Sequence, residues 1–180
     1  MKKSIKLPHI TSFFALFFFF SSCSKDYEPL PTVEKVDLEK YQGVWYEIAK
    51  LPNRFEKGLT CITAEYTILE NGNIQVVNKG LKDGDPNNVS SVTGKAKRKN
   101  EGDNTKLKVS FFGPFYGDYY IIDLSENYEY ALVGEPSREY LWILSRTPKL
   151  EKEIVDDLLE KAKKLGFDTS KVEMAIQDCY

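Results

Sequence analysis

Side chains able to do nucleophilic, acid–base or metal chemistry are few in these 180 residues. The only histidine is His9. It lies in an N-terminal segment with a basic start (Lys2, Lys3, Lys6) and an apolar run from Phe13 to Phe20, the pattern of a removable secretory leader. That run is too short to span a bilayer as a helix. Once residues 1–22 are removed, no histidine remains for a Ser-His-Asp or Cys-His site, and the commonest metal ligand is gone. No catalytic residue, metal ligand or cofactor is therefore assigned.

Three cysteines remain to be placed. Phe20-Ser21-Ser22-Cys23 resembles a bacterial lipobox. Cleavage before Cys23 would leave that residue as an acylated N-terminus, and several acyl chains together anchor a protein stably to a membrane. Cys61 and Cys179 then form the simplest disulfide in an exported compartment, with two free thiols as the alternative. A loop of that length is worth roughly 4–5 kcal/mol by the chain-entropy argument.

Loss of the leader removes three lysines and no acid, leaving 22 basic residues against 27 acidic ones. A mildly acidic surface without a basic patch argues against nucleic acid as a partner. The domains expected are a signal peptide over 1–22, a lipidated N-terminus and tether over 23–36, and one folded domain over 37–180. Pro29 and Pro31 suit an extended tether.

The elements that must position these residues are mostly strands. Gly43 to Lys50 reads as the first. Ile62, Ala64, Tyr66 and Ile68 then alternate with Cys61, Thr63, Glu65 and Thr67. Asn71-Gly72-Asn73 is a hairpin signal. Further strands are predicted from Ile74 to Asn78, Val89 to Lys97, Leu107 to Phe111, Tyr119 to Leu124, Tyr128 to Gly134 and Tyr140 to Arg146. Eight short strands with no helix between them predict an all-β fold, an antiparallel sandwich or an up-and-down barrel. One amphipathic helix follows, with Thr147 as N-cap, Pro148 as first residue and Gly166 as stop. Its stripe of Leu150, Ile154, Leu158 and Ala162 is expected to pack outside the sheet.

Gly43-Val44-Trp45 at the first strand is similar to the lipocalin signature Gly-x-Trp. Tyr140-Leu141-Trp142-Ile143-Leu144-Ser145-Arg146 resembles the family's last motif, a strand ending in Arg before the helix. Lys79-Gly80 and the run from Val109 to Gly117 look like the bacterial branch. Cys61 and Cys179 fall where apolipoprotein D has a disulfide. The middle motif is reduced here to Ser125-Glu126-Asn127. The resemblance runs from about Val36 to Tyr180. It implies an eight-stranded antiparallel barrel with one C-terminal helix outside, closed at its narrow end by Gly43, Trp45 and Arg146, the last covering the Trp45 ring.

A barrel of eight strands holds one small ligand. If Trp45 points inward, strand alternation sends Glu47 and Ala49 inward too. Asn78 joins Ile74 and Val76, Phe111 joins Leu107 and Val109, and Trp142 joins Tyr140 and Leu144. The resemblance also favours Tyr41. The candidate ligand residues are thus Tyr41, Glu47, Asn78, Phe111, Tyr140 and Trp142, with Arg54, Phe55 and Lys57 on a loop over the mouth. Glu47 would need a partner, Tyr41 or Asn78, or would receive a ligand's polar head. The expected ligand is a small hydrophobic molecule, a fatty acid or lysophospholipid, carried by an outer-membrane lipoprotein that is monomeric or homodimeric. Two other readings stay open: an isomerase or dehydratase using Glu47 beside Tyr41 or Tyr119, and a structural envelope protein with a filled barrel.

Overall fold

The computed structural model describes residues 27–179. The leader and Cys23 lie outside the described residues. Eight strands succeed one another: β1 (Gly43–Lys50), β2 (Leu59–Ile68), β3 (Ile74–Lys82), β4 (Val89–Arg98), β5 (Lys106–Phe112), β6 (Phe115–Leu124), β7 (Tyr130–Gly134) and β8 (Leu141–Ser145). Each pairs antiparallel with the next, and β1 pairs with both β8 and β2, so the sheet closes into a barrel. At the β2–β3 turn Gly72 has φ +77°, a conformation glycine adopts freely. The Asn73 amide donates to the Asn71 side chain there.

Alternation divides the buried residues into two sets. Trp45, Tyr66, Ile74, Val76, Ala96, Leu107, Ile121, Val133 and Leu144 face inward. Ile48, Ala49, Leu51, Ile122, Leu132, Leu141 and Ile143 face outward, under the helix. The expectation for Ala49 is corrected here. A bulge at Ile48 adds one residue to β1 between the Glu47↔Leu144 and Ala49↔Ile143 pairs. Past the bulge the parity reverses, so Ala49 packs outside and Lys50 points in.

Helix α2 spans Lys152–Lys164 and buries Val155, Leu158 and Ala162 on the barrel. It begins later than the Thr147–Pro148 start expected from the sequence. Thr147 spends its hydroxyl on the Lys149 carbonyl, and its amide donates to the Ser145 hydroxyl. Those contacts hold 146–151 as a connector. Leu150 still packs against the outer set, and the lysines of the last turn match the helix dipole. Phe167, just past α2, lies against Gly134, where any Cβ would come within 2.7 Å of its ring.

Before the barrel, Leu30 and Val36 are buried, and the Val33 amide donates to the Ile121 carbonyl. The final part of the expected tether thus runs along the barrel. A single turn, α1 (Leu38–Tyr41), capped by the Asp37 side chain, leads into β1. Two features had no sequence signal: the 3₁₀ turn Thr169–Lys171 and a two-residue strand β9 (Glu173–Met174) beside β1.

Candidate functional site

The narrow end is closed by one arginine. The Arg146 guanidinium lies 3.8 Å from the Trp45 ring centroid. It donates to the carbonyls of Lys40, Tyr41, Gln42, Val44 and Tyr128 at 2.8–3.2 Å. The Trp45 indole N–H donates to the Tyr41 carbonyl at 2.8 Å. Gly43 stands at φ +93°, and a Cβ there would sit 3.4 Å from the guanidinium. Arg146 satisfies the carbonyls left free where α1 meets β1, so its charge is fully employed in structure.

Above this floor three tyrosines converge. Tyr66 donates to the Tyr119 hydroxyl at 2.9 Å, and Tyr119 and Tyr41 share a hydrogen bond of 2.8 Å. Burial pushes the Tyr66 hydroxyl up to about 12 and those of Tyr41 and Tyr119 well above the ordinary tyrosine value. All three stay protonated at neutral pH. Three hydroxyl protons serve two hydrogen bonds, so one O–H is left over.

Above this floor the barrel is not packed to the exclusion of solvent. Ala64, Asn78, Val109, Phe111, Tyr119 and Trp142 face inward, yet each keeps solvent-accessible surface. In a closed ring that requires space in front of them. Gly94 opens part of it, because a Cβ there would lie 2.6 Å from the Phe111 ring. Tyr140 stacks on Trp142 at 5.8 Å between centroids and on Phe55 at 6.1 Å, forming an aromatic ladder up one side of the mouth. Asn78 Oδ1 is buried with no hydrogen-bond partner among the described residues.

Glu47 is 2% exposed. Its expected partners, Tyr41 and Asn78, do not reach it. It pairs instead with Lys50 Nζ at 3.1 Å, and the same ammonium lies 3.2 Å from Glu56. Burial, then the Glu56 charge, pushes the Glu47 carboxyl up to about 8, against the pull of Lys50. The Glu47–tyrosine arrangement required for the enzymatic reading is therefore not formed. Glu56 also accepts from the Trp142 indole N–H at 3.3 Å and from the Asn53 amide at 2.5 Å. This carboxylate ties the β1–β2 loop to the cup wall.

Of the loop residues singled out in the sequence, Phe55 joins the aromatic ladder and Arg54 lies 5.0 Å over its ring. Arg54 and Lys57 border a pocket of about 560 Å³ beside β2. Glu56 and Lys50 were missed. The bulge hides Lys50, and Glu56 sits in a loop without periodicity. Tyr66 follows from the same alternation that gave Asn78. Cys61 and Cys179 are bonded, with Cα atoms 6.2 Å apart. Among the described residues no three His, Cys, Asp or Glu side chains converge as a metal site would need.

A family model for a lipocalin-like domain matches residues 36–177. The chain is 44% identical over 146 residues to the outer membrane lipoprotein Blc of Vibrio cholerae, covering 81% of this chain and 85% of that one. Against Blc of Escherichia coli K12 it is 43% identical, covering 83% and 85%. Against apolipoprotein D of Mus musculus it is 39% identical, covering 79% and 77%. Among solved structures, insecticyanin from the tobacco hornworm superposes with a TM-score of 0.66 at 26% identity, covering 83% and 85%. With its barrel closed by Trp45 and Arg146 and a single helix packed outside, the chain belongs to the lipocalin family.

Proposed function

We propose that this lipocalin carries a single-chain lipid, a fatty acid or a lysophospholipid, in its cup at the bacterial outer membrane. The observation that carries the reading is the solvent-accessible surface that the inward-facing Phe111, Tyr119 and Trp142 keep within a closed barrel. The acyl chain lies against Phe111, Trp142 and Tyr140, gaining about 0.8 kcal/mol per buried CH₂ before the costs of binding. Asn78 and the spare tyrosine proton over the floor offer polar contacts, with Tyr41 contributing its hydroxyl. Glu47 meets a polar head through the cluster it forms with Lys50 and Glu56, while Arg54, Phe55 and Lys57 stand on the loop over the bound ligand. No bond is made or broken. The outer-membrane lipoprotein names of the Blc relatives support the location, with Cys23 as the acylated anchor.

Displacement of a fluorescent fatty acid tests the reading directly. Micromolar or tighter displacement by fatty acids or lysophospholipids is expected. A folded protein that binds neither at 100 μM overturns it. Native mass spectrometry of protein taken from its own envelope then identifies the bound species and the subunit count.

A further inference from the structure

β1 and β2 form a ladder only from Gly43↔Tyr66 to Tyr46↔Thr63. Above that row Glu47–Lys50 and Leu59–Ile62 separate, and the wall is completed by a borrowed segment, the C-terminal strap from Glu173 to Cys179. Met174 pairs with Ala49, and Glu173 with Lys50. The Ala175 amide donates to the Ile48 carbonyl at 2.9 Å, and the Cys61 amide to the Ile176 carbonyl at 2.8 Å. Gln177 bridges the seam, its side-chain amide donating to the Glu47 and Ile62 carbonyls at 2.8 Å each. The Cys61–Cys179 disulfide ties down the far end.

The strap is thinly held. Met174 and Ile176 are 58% and 60% exposed, so little apolar burial secures it. Gln177 is buried, but its own Oε1 has no partner among the described residues. Cys61, at the seam, has φ +51°, where β2 bulges away from its register. Beside the strap lies the pocket of about 560 Å³, bounded by Gly58–Ile62 on one side and Glu173–Ile176 on the other. Glu47, Lys50 and Glu56 also line it, and Glu56 is the carboxylate that accepts from Trp142 in the cup. The ion cluster is thus the partition between side pocket and cup.

We propose that this seam is a lateral port: the strap swings on its disulfide tether, and a single-chain amphiphile slides into the cup through the gap between β1 and β2. The nature of the cargo rests on the carrier reading; the opening of the strap does not. A side port lets the acyl chain enter while its polar head stays beside Lys50, Glu47 and Glu56. The head then never crosses the aromatic mouth. The disulfide limits the swing and returns the strap to its seat.

A port residue changes both rate constants together. In Gln177→Ala the two bonds across the seam are gone. Stopped-flow fluorescence with a dansyl-labelled undecanoic acid should show association and dissociation each faster by roughly five-fold or more, with Kd within two-fold of wild type. Unchanged rates, or a Kd change carried by one rate constant alone, overturn the proposal. Native-state hydrogen exchange on the ligand-free wild-type chain is an independent readout, needed if the variant does not fold or no probe binds. The Cys61 and Ala175 amides should exchange at least about ten-fold faster than those in the β1–β2 ladder below, and equal protection overturns the port. Absence of any probe binding would instead count against the carrier reading, leaving exchange to decide the strap.

Discussion

Replacing Glu47 with glutamine isolates the electrostatic cost of the cluster that separates cup from side pocket. The folded protein holds the Glu47 carboxyl proton up to about pH 8, whereas the unfolded chain releases it near 4.5. The folded state therefore binds the extra proton, and stability falls as pH rises between those two values. Below the window both states are protonated; above it neither is, and the penalty is constant. The slope is at most about 1.4 kcal/mol per pH unit, so the full window caps the loss at roughly 5 kcal/mol. The pull of Lys50 is already contained in the value of about 8, so an effect of at least about 2 kcal/mol is the one to measure. Burial also raises the half-buried Glu135, but that residue is common to both proteins and cancels in the difference. Urea denaturation should find Glu47→Gln within about 1 kcal/mol of wild type near pH 5 and at least about 2 kcal/mol more stable near pH 8.5. Stability curves that stay parallel across that range would refute the assignment of a proton to buried Glu47.

Three further substitutions test other parts of the structure. Arg146→Lys keeps the charge but loses the fork that reaches five carbonyls and the stacking on Trp45; a loss of about 2–4 kcal/mol is expected from the urea midpoint, and a wild-type midpoint contradicts the closure argument. Gly94→Ala places a methyl 2.6 Å from both the Phe111 ring and the Ser110 carbonyl oxygen, displacing the ring and straining the β4–β5 backbone; fatty-acid displacement should weaken about ten-fold while stability falls by about 1–3 kcal/mol, and unchanged affinity would remove Phe111 from the proposed lipid site. Gly134→Ala sets a methyl 2.7 Å from Phe167; it should cost about 1–3 kcal/mol in the same denaturation assay without altering ligand affinity, since the contact lies outside the barrel.

Period-two alternation made the barrel readable up to the point where β1 bulges. It placed Trp45, Glu47, Val76, Asn78, Phe111 and Trp142 on one side of the wall, and the two buried sets follow that division. At Ile48 one inserted residue sends Ala49 outward and brings Lys50 in. No composition signal marks such an insertion, because Ile48 is itself a good strand residue on either parity. Glu47 consequently finds its partners on Lys50 and on Glu56, nine residues along and across a loop whose conformation no period constrains. The cap over Trp45 was legible through the family motif, since four of the five carbonyls that Arg146 reaches lie about a hundred positions away in the chain. The strap was invisible for a different reason. β9 is two exposed residues long, held by contacts to distant backbone, and nothing in Glu173-Met174 itself favours a strand.

The distribution of satisfied and unsatisfied polar groups separates the two ends of the barrel by role. At the floor, the indole N–H of Trp45 and the guanidinium of Arg146 all meet carbonyl acceptors, and the Tyr41 and Trp45 rings beneath the cap are buried. Such an end is costly to open and suited to holding the ring together. Toward the mouth, Asn78 Oδ1 on β3 and Gln177 Oε1 on the strap are buried without a hydrogen-bond partner among the described residues, as are Ser110 Oγ on β5 and Asp118 Oδ1 on β6, while Glu47 Oε1 has the Lys50 ammonium at 3.1 Å. Each such oxygen costs stability that an apolar side chain of similar size would not. Two of them, on β3 and the strap, lie beside the inward-facing aromatics and the seam, which suits the carrier reading proposed above: free acceptors where the β1–β2 ladder has ended, on a base that keeps the ring closed.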